Sequence, residues 1–64
     1  MTDQNKKAIE NLKNESDLDF IDSMNGWARQ ARTNWQSQLN RSICKAEKES
    51  ILEQIEFCNA VLDL

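Results

Sequence analysis

The chain has 64 residues and a net charge of −3, with two cysteines, one glycine, and no histidine, proline or tyrosine. That size admits a single domain, residues 1–64, with a marginal core, because a chain so short buries only about 60% of the surface its unfolded form exposes. The composition excludes glycine-rich phosphate loops, removes the commonest general base, and leaves no stretch approaching the roughly 20 apolar residues of a membrane span.

Helix formers dominate. The β-branched residues are few and never alternate, so the expected class is all-α: two long helices and a short N-terminal one, as a helical hairpin or three-helix arrangement completed by dimerisation. Thr2 or Asp3 can cap the first helix, which runs to about Lys13 with Ala8, Ile9 and Leu12 on one side. Asn14-Glu15-Ser16 is the expected joint. Ser16 and Asp19 resemble a capping box, and Asp17, Asp19 and Asp22 place negative charge where the next helix exposes free amides.

From residue 20 to 46 one stripe dominates: Phe20, Met24, Trp27, Ala28, Ala31, Trp35 and Leu39 recur at spacings of three and four. Such a stripe is a helix burying one face. Asn25-Gly26 is the strongest turn signal in the chain, but the stripe keeps its phase across it. One helix from about residue 17 to 39 is therefore expected to run through Gly26, at roughly 1 kcal/mol relative to alanine. A second stripe, Ile51, Ile55, Cys58 and Leu62 with Leu52 alongside, is rotated by about 150° from the first, so between residues 40 and 50 the chain bends, breaks or turns a new face to a partner. Asn40-Arg41-Ser42 gives two helices of similar length, the last from about 42 to 62. Lys48-Glu49-Ser50 competes, because Ser50 and Glu53 match a capping box.

Cys44 and Cys58 have no Cys-x-x-Cys spacing. On one helix they stand about 21 Å apart, too far for a bridge. Both are expected to be reduced, small buried apolar groups in a cytoplasmic protein. With no histidine and no calcium-loop order among Glu15, Asp17, Asp19 and Asp22, no metal or other cofactor is expected. Neither cysteine has an activating base beside it, so the chain reads as a non-enzyme.

Charge is distributed in blocks. Residues 1–28 carry −3, residues 29–48 carry +4 and residues 49–64 carry −4. Antiparallel neighbours, within the chain or across a dimer, would set the basic middle beside the acidic ends. Two tryptophans and a phenylalanine exceed what a short first helix can cover. Phe20, Met24, Trp27, Trp35 and Leu39 are accordingly the candidate protein-binding residues, facing a second copy or another protein. Compact acidic chains of this size are often regulators or inhibitors, including those of phages and mobile elements. The alternative is a helical nucleic-acid-binding regulator using Arg29, Arg32, Arg41, Lys45 and Lys48, which an overall acidic chain disfavours through long-range repulsion. Neither a membrane nor a small-molecule substrate is expected as a partner.

Overall fold

The computed structural model describes all of residues 1–64 and contains three helices and no strand: α1 (Asp3–Glu15), α2 (Leu18–Arg41) and α3 (Lys45–Leu62). The chain is all-α, and no helix is long and apolar enough to cross a membrane. Thr2 is the N-cap of α1, its side chain accepting from the Asn5 amide. The joint falls at Ser16-Asp17, slightly beyond the expected one. Asp17 rather than Ser16 caps α2, its carboxylate accepting from the Phe20 amide at 2.8 Å. One residue later in the chain, the aspartate is the stronger acceptor and also suits the helix dipole.

α2 passes through Asn25-Gly26 without interruption, as the continuous stripe requires. Burial of that stripe overrides the local turn preference, and two small costs remain: glycine in a helix interior, and the Asn25 Oδ1 atom, which is buried without a hydrogen-bond partner. The break lies at Ser42-Ile43-Cys44, where Ser42 and Cys44 are extended. The Ser50–Glu53 capping box is therefore not used, and Glu53 sits mid-helix. α3 begins at Lys45, three residues later than expected, and its N-cap Cys44 makes no side-chain cap hydrogen bond.

α2 and α3 form an antiparallel hairpin. α1 is tied at its start to Glu53 and Glu56 of α3, and its Ile9 and Leu12 pack on the cluster of Ala28, Cys58 and Val61. It thus runs parallel to the second half of α3 and stops there. Residues 1–33 with 53–64 make a three-helix half, whereas residues 34–52 are a bare two-helix hairpin. The buried side chains follow this division: Ala28, Ile55, Cys58 and Val61 lie in the first half and Ile51 alone in the second.

The molecule is correspondingly slab-like, 39 × 23 × 12 Å. Its radius of gyration is 12.5 Å, against about 11 Å for a compact chain of this length. The accessible surface is 4830 Å², where a folded monomer of this mass exposes roughly 4,200 Å².

Candidate functional site

The seam between α2 and α3 is flanked by two side-chain bridges. On one side Trp27 meets Phe57 edge-on, ring centroids 6.4 Å apart at 73°. On the other, the Arg32 guanidinium donates to Asn59 Oδ1 at 3.0 Å. Trp27 and Arg32 are separated by about 140° of helical phase, and Phe57 and Asn59 by about 160°, so the bridges lie on opposite broad faces. One face is therefore aromatic and the other polar.

The five candidate protein-binding residues split between these environments. Met24 and Trp35 are half-buried and pack against the Ala28–Cys58–Val61 cluster, and Leu39 is also half-buried. These three face the hairpin seam. Trp35 is thus not the fully enclosed indole that its mid-stripe position suggests, because it lies in the half that has only two helices to close over it. Phe20 is 50% exposed and Trp27 49%. They are seven residues apart and about 20° apart in phase, so they share one face, where Phe57 joins them from α3. Phe57 is absent from the sequence-based set. Its phase sets it off the Ile51–Ile55–Cys58–Leu62 stripe, and an aromatic off the main stripe was the available signal for a second apolar face.

The basic candidates are not neutralised inside the chain. Its only ion pairs are those of the Met1 ammonium with Glu53 and Glu56, at 3.5 and 3.3 Å. Arg29, Arg41, Lys45 and Lys48 are exposed, and Arg32 bonds to a neutral amide. The pairing of the basic middle with the acidic ends is therefore not made within the chain. The fold instead sorts the charge by half. Residues 34–52 hold Arg41, Lys45 and Lys48 against Glu47 and Glu49, a net +1, and the three-helix half, with Arg29 and Arg32 in it, carries the balance of −4.

Glu53 was also not foreseen as a tie point. Its Oε1 accepts from the Thr2 amide at 2.8 Å and from Asn5 Nδ2 at 3.0 Å. The Thr2 amide chiefly, with Asn5 and the nearby ammonium, holds its carboxyl below the ordinary carboxylate range, against a weaker upward push from desolvation.

The cysteines separate. Cys58 is buried at the α2–α3 contact, and burial pushes its thiol above the ordinary value. Cys44 is exposed at the hairpin tip, contrary to expectation, because the break places it in the connection rather than on a packed face. Beside it Ile43 is 97% exposed. The surface has no pocket. Comparison with protein-family models, with curated proteins and with solved structures finds no match to this chain.

Proposed function

We propose that this is a small non-enzymatic helical protein that acts by binding protein, as a cytoplasmic regulator or inhibitor of the kind that phages and mobile elements also make. The observation that carries the reading is the half-exposed pair Phe20 and Trp27 on one face of α2. Aromatic side chains offer large apolar area at little entropic cost and dominate binding hot spots. Trp27 is further held by its edge contact with Phe57, so less freedom is lost when a partner covers it. Met24, Trp35 and Leu39 support this surface from the seam behind it.

The test is capture by the immobilised chain from cell extract, with and without nuclease. Trp27→Ala is expected to lose the partner while keeping its helical circular dichroism, and nuclease is expected to change nothing. A second reading has its own support. Arg29, Arg32, Arg41, Lys45 and Lys48 lack internal ion pairs, as a nucleic-acid-binding surface requires. Binding to nucleic acid that falls steeply with salt, and with removal of Arg41 or Lys45, would put that reading first.

A further inference from the structure

We infer that the broad face of the hairpin opposite Trp27 and Phe57 is an interface for the phosphate backbone of a nucleic-acid duplex, held by Arg29, Arg32, Lys45 and Lys48. The inference rests on the nucleic-acid reading of the basic residues and names the surface and the part of the ligand that it contacts.

The first support is juxtaposition. Arg29 and Arg32 are about 60° apart in helical phase on α2, and Lys45 and Lys48 lie within about 40° of Asn59 on α3, so all four share the side on which Arg32 donates to Asn59. None of the four forms an ion pair, and Arg29, Lys45 and Lys48 are exposed. Exposed Gln36 and Asn40 lie within about 20° of Arg29 in phase and add neutral donors of the kind that contact sugar and phosphate. From Arg29 to the end of α2, where α3 begins, the axis rises about 18 Å. One strand of a duplex presents about five phosphates over that length. Asp22 and Asp63 share this side only beyond Arg29 and Asn59, towards the far end, and Glu49, one turn from Lys45, makes no ion pair with it.

The second support is what shares the face with these cations. Phe20, Trp27 and Phe57 all lie on the other side, so no ring is placed to stack on an unpaired base, and contact is confined to sugar and phosphate, which a duplex offers with its bases paired. A protein partner calls for an apolar centre. Leu52 is the one large exposed apolar side chain among the four cations. A second copy fits worse, because a two-fold contact lays the patch on itself and opposes cation to cation. The net charge of −3 opposes the ligand at long range, so the contact is weak and sensitive to salt.

The experiment is fluorescence anisotropy of labelled DNA and RNA duplexes of about 20 base pairs, mixed in sequence and titrated with the full chain at several salt concentrations. The expected dissociation constant is about 1–100 µM at low salt, with a log–log salt slope of about −3 to −4 for the DNA duplex, from four phosphate contacts. The tighter of the two duplexes names the source. Arg29→Gln with Lys48→Gln is expected to weaken binding about tenfold or more and to take about two units off the slope. Arg41→Gln with Lys13→Gln removes the same charge from elsewhere, since Arg41 lies about 180° in phase from Arg32 and Lys13 is on α1. That pair, and Trp27→Ala, should bind almost as wild type. The four charged residues replaced are exposed, and helical circular dichroism is read on every variant.

No binding to either duplex at about 100 µM and low salt overturns the inference and the nucleic-acid reading together. Equal loss in the two double variants overturns the inference alone, because nucleic acid then follows net charge and not this face. So does a single strand bound more tightly than the duplex and dependent on Trp27, which moves the site to the aromatic side. Polyglutamate that displaces the duplex at equal charge concentration makes an acidic protein surface the occupant and overturns the inference as well.

Discussion

Three helices meet in one half of the molecule and only two run together in the other, although α2 carries the same apolar stripe through both. In the three-helix half, α1 supplies Ile9 and Leu12 against Ala28, Cys58 and Val61, and Glu53 ties down the start of α1. In the hairpin half Ile51 alone is fully buried, and the connection leaves Ile43 and Cys44 in solvent. The contrast teaches that a stripe specifies that a face will be covered, not by what. The third helix covers it in one half, and in the other the covering is incomplete.

The sharpest way to break the comparison is to remove apolar volume from each half. Ile55→Ala, in the three-helix half, is expected to cost about 3 kcal/mol, the usual range for a buried isoleucine and a large part of what a small domain has to spare. Ile43→Ala, at the exposed tip, should stay within about 0.5 kcal/mol. Urea unfolding followed by circular dichroism decides it. A cost at Ile43 comparable to that at Ile55 would mean that the tip is packed.

The two tryptophans refine the same contrast within α2. Trp35 faces the seam but is only half-buried, so Trp35→Ala should cost about 2–3 kcal/mol, below the 3–5 of an enclosed aromatic. Trp27→Ala removes one edge-on aromatic pair and should cost about 1 kcal/mol of folding. Equal costs in urea would erase the distinction between a seam residue and a face residue.

Much of this was legible in the sequence. The all-α class and the uninterrupted passage of α2 through Gly26 follow from the composition and the period of the apolar residues; the change of phase confines the discontinuity to residues 40–50, and the weak helix formers Asn40-Arg41-Ser42 bring it next to the connection at Ser42–Cys44. What was not legible is which part of the stripe α1 and α3 would cover. Phe20 and Met24 are four residues apart and equally apolar, yet Met24 packs on the cluster and Phe20 lies half in solvent. That outcome depends on the crossing of three helices, which no local pattern encodes. The role of Glu53 was hidden for the same reason, since its partners are 48 and 51 residues away.

Gly26 lies in the interior of α2, within the three-helix half, and offers a gain rather than a loss. A methyl group there meets nothing within 4 Å, and the glycine has ordinary helical backbone angles. Gly26→Ala should therefore raise stability by about 1 kcal/mol in thermal or urea unfolding. A destabilised variant would show that α2 needs to flex at this point.

A somewhat smaller gain belongs to the hairpin half alone. Of the three helices only α3 starts without a side-chain cap, because Cys44 occupies the position that Thr2 and Asp17 fill in α1 and α2. Cys44→Ser supplies the missing acceptor and should add about 0.5–1 kcal/mol. In hydrogen exchange the protection should rise first at the start of α3. A gain spread evenly over all three helices would mean that the hairpin tip does not open on its own.

The smallest effect is set by acid, and it acts on the three-helix half. Glu53 has its carboxyl held below the ordinary range in the folded chain, chiefly by the Thr2 amide, so the folded state binds that proton less readily than the unfolded state. A lowered value contributes stability that is present above the unfolded carboxylate value of about 4.3 and lost as pH falls through the lower folded one. Because the carboxylate is reached by solvent, the loss should be shallow. Glu53→Gln should flatten this acid limb, and it should release the amides at the start of α1 while leaving those of the hairpin half unchanged. Hydrogen exchange at pH 5 and pH 3.5 reads both effects, roughly either side of the ordinary carboxylate value. Deprotection of the hairpin half in the same variant would show that α1 supports the whole molecule, and the two halves would then unfold as one unit.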